Sequence, residues 1–278
     1  NYNLIWTNGS GSISKKAIVV TANDDAKLIF QSDPAGFNGV SFSGFEGGDN
    51  GSAINGTLNI SRSNSSVELV GKYSDVLVPS GLSANNYSIS YQNGDYEIVP
   101  ADELLIKIDN QTIIYGNDSS NFNIISGQYY SSITNQYVTL NPPLKSGKVY
   151  TYTDALSGAA IFSLGAISPQ FSSSNILAVG NYEIEAKDIT ETSDNFSNNI
   201  TVVGNLTVLK KCLLLGSDGI IKEYDGTPNF GEVILNSLNK EADDILLIQG
   251  WGTFNQKNVG KLISFTVTDF ELTGLDSN

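Results

Sequence analysis

The chain has 278 residues, with 15 Lys and Arg against 29 Asp and Glu, a formal net charge of −14. A surface this acidic repels nucleic-acid phosphates and the anionic face of a membrane, and no apolar run is long enough to span a bilayer, so neither nucleic acid nor membrane insertion is expected. Histidine and methionine are absent and cysteine occurs once, at Cys212, which leaves no intramolecular disulfide and no cysteine/histidine metal cluster.

Residues 1–17 read as a hairpin that closes a domain. Tyr2, Leu4 and Trp6 alternate with polar residues, Asn8-Gly9 supplies a tight turn, and a second alternating run ends at Lys15-Lys16. The expectation is a donor-like closing β-hairpin of a neighbouring module. Residues 18–100 form the first module. It opens on Ala17-Ile18-Val19-Val20-Thr21-Ala22, passes through Val70-Gly71-Lys72-Tyr73, and ends on Asn86-Tyr87-Ser88-Ile89-Ser90-Tyr91-Gln92-Asn93-Gly94, a copy of the pattern at residues 1–9. Residues 101–211 form the second, longer module. Leu104-Leu105-Ile106-Lys107-Ile108 opens it, Ile113-Ile114-Tyr115-Gly116 follows, and Val179-Gly180-Asn181-Tyr182 precedes a degenerate closing hairpin at residues 199–208. An insertion lies near 150–175, with residues 154–162 expected as a short helix.

Residues 212–278 form the third module. Cys212-Leu213-Leu214-Leu215 opens it within a strand-like run, where Cys212 is expected as a small buried core side chain. Lys222-Glu223-Tyr224-Asp225-Gly226-Thr227 and Val259-Gly260-Lys261-Leu262 follow, and no closing hairpin is recognisable before Asn278. Residues 1–17 are therefore expected to complete a module of the 212–278 type. Recurrence at this period indicates a tandem array. The fold class is mostly β: small antiparallel β modules, sandwich or β-grasp-like, in an elongated rod. The absence of a Gly/Ser-rich linker around Ile98-Val99-Pro100-Ala101-Asp102 favours a semi-rigid arrangement.

These elements resemble the MBG and YDG modules of bacterial filamentous-haemagglutinin-like surface adhesins. Ile114-Tyr115-Gly116-Asn117-Asp118 resembles the YG-D opening, in weakened form Ile29-Phe30-Gln31-Ser32-Asp33-Pro34, and Ser43-Gly44-Phe45-Glu46-Gly47-Gly48-Asp49 fits the middle. Lys222-Glu223-Tyr224-Asp225-Gly226-Thr227 with residues 254–261 is similar to a YDG module. The resemblance implies secreted or cell-surface β modules of stalk or adhesion type, partnered by copies or repeats of the same protein, with no known catalytic residues.

The Tyr115-Gly116 and Tyr224-Asp225-Gly226 elements read as structural, the ring filling a module's end, glycine permitting the next turn and Asp225 capping it. In Asp24-Asp25 and in Asp243-Asp244 the neighbouring side chains would point to opposite faces of a strand, so neither pair makes an acid/base dyad, and each is expected in a solvated turn. No enzyme and no cofactor is expected; calcium is the one ion considered, at residues 45–51 and 190–194, neither with the spacing of a calcium loop. The alternative is glycan binding, to host or matrix sugars, through Tyr129, Tyr130, Tyr137, Tyr150 and Tyr152. A carboxylate-based glycosidase comes after that.

Overall fold

The computed structural model describes residues 10–154, 158–191, 193, 195 and 199–277. The chain is mostly β, in several small sheets. The first module holds β1 (Lys16–Ala22), β2 (Asp25–Leu28), β3 (Val40–Ser43), β4 (Ile54–Arg62), β5 (Gly71–Ala84), β6 (Tyr87–Gln92) and β7 (Gly94–Val99). The second holds β8 (Leu104–Ile108), β9 (Gln111–Ile114), β10 (Ile124–Ser131), β11 (Gln136–Thr139), β12 (Leu144–Ser146), β13 (Val149–Thr153), β14 (Ala159–Ala166), β15 (Gly180–Glu191), β16 (Ile200–Val203) and β17 (Asn205–Leu209). The third holds β18 (Leu215–Gly216), β19 (Asn229–Ser237), β20 (Leu247–Phe254) and β21 (Phe265–Thr273). Among the described residues the only helical turn is Gly51–Ala53, capped by the Asn50 side chain.

Two compact units emerge from the contacts. One comprises Asn1–Asn110, Phe122–Leu164 and Glu185–Gly204, the other Gln111–Asn121, Gly165–Ile184 and Asn205–Asn278. Strands of residues 101–211 fall in both.

In the first unit, period-two alternation builds the core. Ile18, Val20 and Ala22 of β1 point inward, and Ala160, Phe162 and Leu164 of β14 do the same. Residues 159–162 are thus strand, not the helix expected from sequence, because their small and apolar residues alternate in burial along an antiparallel pair with β13. Residues 155–157 of that expectation lie outside the described residues.

The sheets are mixed rather than wholly antiparallel. β6 lies parallel to β1 and β7 parallel to β2, while β7 is antiparallel to β5. The second module repeats the arrangement at its start: β16 lies parallel to β8. First and last strands of a module are joined by its whole length, which is what a parallel pairing requires. The hairpin crosses the bend of the opening strand so closely that glycine is needed. A Cβ on Gly94 would stand 2.5 Å from the Ala22 carbonyl oxygen, and one on Gly204, at φ +137°, 2.3 Å from Ile108 Cγ1.

Ala22, Ile60, Leu77, Tyr96 and Ile98 form one core cluster, and Ala26, Leu28, Val99, Leu105 and Val203 form another that spans the boundary between the first and second modules. Burial of both is driven by the hydrophobic effect. At the boundary Lys107 donates to the buried Asp25 at 2.5 Å, and Tyr137 donates to the Ile29 carbonyl. Beneath the first module's sheet, Lys27 and Arg62 share Asp33 and Glu68 at 2.6–2.8 Å, with Arg62 over the Tyr96 ring at 5.0 Å. Burial opposes ionisation of Asp33, but hydrogen bonds from Lys27 and Arg62 outweigh it and hold its carboxyl below the usual carboxylate range.

In the second unit β17 runs parallel to β9 and antiparallel to the first residues of β15, so the closing hairpin again serves the opening strand. The remaining sheet has the order β18-β19-β20-β21. Cys212 precedes it and is exposed rather than buried, a correction to the sequence reading. β17 ends at Leu209 and β18 begins only at Leu215, so residues 210–214 are a connection without a strand neighbour to bury them.

Two outcomes follow for stability. Gly204→Ala is expected to cost about 3 kcal/mol, from the clash with β8 and the positive φ. Arg62→Ala is expected to cost about 2 kcal/mol, less than a fully buried pair because Glu68 faces solvent. Urea unfolding midpoints of the full chain check both; a shift within error for Gly204→Ala contradicts the hairpin crossing.

Candidate functional site

The second unit holds two features of functional interest: the four-stranded sheet β18-β19-β20-β21 and a joint. In the first module the opening strand β1 lies between β3 and β6, and in the second β8 lies between β10 and β16. Among the described residues β18 has only β19 beside it. Likewise β5 has β4 and β7 as neighbours, whereas β21, which follows the third Val-Gly element, has only β20 among the described residues. Among the described residues no strand lies at either of the two places that a closing hairpin fills in the other two modules. The apolar side chains respond accordingly. In residues 212–278 Leu235 and Ile248 are buried, while Trp251, Phe270, Leu272 and Leu275 are exposed. An apolar groove of about 640 Å³ runs between residues 219–227 and 254–265, with Ile221, Tyr224, Phe254, Val259 and Leu262 in its walls.

The Val-Gly element shows a related difference. Tyr73 donates its hydroxyl to the Leu69 carbonyl (2.7 Å) and Tyr182 to that of Ala178 (2.9 Å), each reaching four residues back. Leu262 stands where those tyrosines stand and lies fully in solvent.

The joint is built by the Tyr115-Gly116 element. The Tyr115 hydroxyl donates to the carboxylate of Asp244, 2.7 and 2.9 Å from its two oxygens, and lies 2.5 Å from Ser172 Oγ. Burial pushes the Tyr115 phenol up, and Asp244 adds to the effect, to about 12. Gly116, at φ +93°, lies against the Glu241 carboxylate, where a Cβ would come within 2.3 Å of its oxygen. Glu241 accepts from Lys211 at 2.5 Å. The loop at 172–174 completes the contact. The Ser173 amide donates to Asp276 at 3.0 Å, and Ser174 Oγ accepts from the Asp243 amide at 2.9 Å. Asp276 also accepts from the Ile245 amide at 2.7 Å, and these backbone donors hold its carboxyl below the usual range. A cleft of about 410 Å³ lies beside the joint, lined by Tyr115, Phe171, Leu213, Leu246 and Leu272 among others.

Glu241 and Lys211 were not singled out from the sequence, and Asp244, expected in a solvated turn, is buried; yet a signal was there. Lys16 pairs with Glu46 at 2.7 Å as Lys211 pairs with Glu241, each pair 30 residues apart. The Asp49 amide donates to the Glu46 carbonyl at 3.0 Å, and that of Asp244 to the Glu241 carbonyl at 3.2 Å. One Glu-x-x-Asp turn, anchored by the second lysine of a Lys-Lys pair, thus occurs in both modules.

Residues 18–97 match the family model of the MBG domain (YGX type), and residues 210–278 match that of the YDG domain. The chain carries an MBG domain and a YDG domain. No curated protein and no solved structure matches it.

In the YDG domain Tyr224 is 60% exposed. Asp225 accepts from the Thr227 amide (2.8 Å), its hydroxyl (2.9 Å) and Lys222 (2.6 Å), the Lys222 bond contributing most to a carboxyl held down at about 2, and Gly226 takes φ +84°. Tyr2, Leu4, Trp6, Asn8 and Gly9 lie outside the described residues; residues 10–15 are exposed and form no strand.

The glycan expectation needs correcting at three of its tyrosines. Tyr129, Tyr150 and Tyr152 are buried in the first unit, Tyr150 and Tyr152 stacked near Phe162 at 6.0 and 6.4 Å, so their faces contact the core rather than solvent. Tyr130 is partly exposed but packs edge-on against Tyr137, which is itself tied to Ile29. In the MBG domain, Glu46 and Asp49, considered for calcium, are engaged by Lys16 and by the Tyr87 hydroxyl (2.6 Å). Among the described residues no group of three or more acidic or cysteine side chains is placed to hold a metal ion.

Tyr115→Phe is expected to cost about 2 kcal/mol by removing a hydrogen bond to a charged acceptor. Because the folded phenol is raised from 10.0 to about 12, its contribution is complete below pH 10 and disappears as pH rises through about 12. Urea melts of both chains between pH 8 and pH 12 check this: the difference should shrink across that upper window, and a constant difference contradicts it.

Proposed function

We propose that the chain is a non-enzymatic structural segment of a secreted or cell-surface protein of adhesin or fibre type, and that it is extended head to tail by strand complementation. One copy donates the hairpin of residues 1–14 to the YDG domain of the next. The observation that supports this reading is that, among the described residues, no strand lies beside β18 and β21 where β6–β7 and β16–β17 lie in the other modules. Tyr2, Leu4 and Trp6 then cover the apolar side chains that the YDG sheet leaves in solvent, and the edges that would otherwise invite irregular pairing are occupied by a specified partner.

A heterologous contact of this kind does not close on itself, so it propagates as a line of copies. The partners are further copies or repeats of the same protein, outside the cell. A surface with formal net charge −14 keeps such copies from associating elsewhere.

Sedimentation of the full chain and of a chain lacking residues 1–16 tests this. The full chain should gain mass with concentration, while the truncated chain should stay monomeric and bind a synthetic peptide of residues 1–16. Equal mass at every concentration, with no uptake of the peptide, would contradict it.

A further inference from the structure

One ion pair of the first unit is built differently from the others. Asp25 of β2 and Lys107 of β8 join the first module to the second, with Lys107 Nζ 2.5 Å from Asp25 Oδ1. The Asp25 side chain is 1% exposed and that of Lys107 18%. Oδ1 also accepts from the Ala26 amide at 2.8 Å. Oδ2 is buried and meets no donor among the described residues. The surroundings are apolar. Leu105, two positions before Lys107 on the same face of β8, and Val203, its register partner on β16, belong to the cluster with Ala26, Leu28 and Val99.

Asp33 gives the contrast. Burial opposes its ionisation too, yet Lys27 and Arg62 share it and hold its carboxyl down. Asp25 has one cation and one unanswered oxygen. Burial pushes its carboxyl above the usual carboxylate range, and neither Lys107 nor the Ala26 amide offsets this. A buried charge so poorly met is costly, and passage of a proton from the ammonium to the carboxylate removes it. What remains is a neutral amine against a neutral carboxyl, each held by a strand, the arrangement in which a slow bimolecular reaction becomes an intramolecular one.

We propose that Lys107 and Asp25 condense to an isopeptide bond, which ties the first module covalently to the second. The Lys107 lone pair attacks Asp25 Cγ and forms the C–N bond, while the Cγ–Oδ1 π pair moves onto Oδ1, where the Ala26 amide donates to it. One amine proton passes to the Oδ2 hydroxyl. The Cγ–Oδ2 bond then breaks, Oδ2 leaves as water, and the pair on Oδ1 restores the carbonyl. Nothing is oxidised or reduced and no further reactant is needed. A cleft of about 470 Å³, lined by Lys107, Lys27, Gln31, Gln128 and Tyr137 among others, gives the water a way out. The bond closes the chain between Asp25 and Lys107 into a covalent loop, so tension along the chain passes across the bond and bypasses the strands between. This holds whether or not copies associate.

Mass spectrometry of the full chain, kept folded and then denatured, tests the bond. The wild-type chain should be lighter than its sequence by one water, and proteolysis should yield a branched peptide joining the segment around Asp25 to that around Lys107. The variants Lys107→Arg and Asp25→Ala should have their full sequence mass. The wild-type reading needs no variant to fold, so a destabilised variant does not blunt the test. Succinimide closure at Asp218-Gly219 or Asp225-Gly226 also releases water, but it would persist in Lys107→Arg and give no branched peptide. Full sequence mass in the wild-type chain after prolonged incubation, or a lost water that maps elsewhere, would overturn the proposal.

Discussion

A module of this chain is finished only when a hairpin from its far end lies along its first strand. β6 on β1, β7 on β2, β16 on β8 and β17 on β9 are all parallel pairings, and each hairpin also meets the long strand that follows a Val-Gly element. The pairing is non-local, so its closure entropy is large and its reward comes late. It also carries the core: Tyr87, Tyr96, Ile98 and Val99 of the first hairpin are buried, as are Val203, Leu206 and Val208 of the second. Among the described residues β18–β21 form a single four-stranded sheet.

The same dependence explains how modules join. The closing strand of one passes straight into the opening strand of the next, so the closing hairpin's apolar residues and the next opening strand share one cluster, as Val99 and Leu105 do. Polar latches are added to this apolar continuity. At one boundary they are Lys107 with Asp25 and Tyr137 with Ile29, and at the other Tyr115 with Asp244. Each latch ties a side chain of one module to a turn or strand of its neighbour, and together they oppose rotation about the connections at residues 100–103 and 210–214.

Much of this was legible in the sequence, because strand alternation, Asn-Gly turns and recurrent Val-Gly elements are local patterns. The hairpins at residues 86–99 and 199–208, the opening strands and the β character of the whole chain could all be read that way. What could not be read depends on distant partners. Ala159–Ala166 has small residues that suit a helix until β13 pairs with it. Cys212 sits in an apolar run that stays exposed for want of a neighbour. Tyr150 and Tyr152 alternate like surface residues of an irregular segment, yet both point at Phe162. The Glu-x-x-Asp turn was visible as a repeat, but its meaning came only from the tyrosine that reaches it across the joint.

Hydrogen exchange at β21 tests the central claim most directly, since among the described residues Phe265–Thr273 has β20 alone beside it. Complementation predicts that their protection rises with the concentration of the full chain, and that the rise is lost when residues 1–16 are removed. Exchange at β21 that is the same at every concentration, with and without those residues, would contradict it.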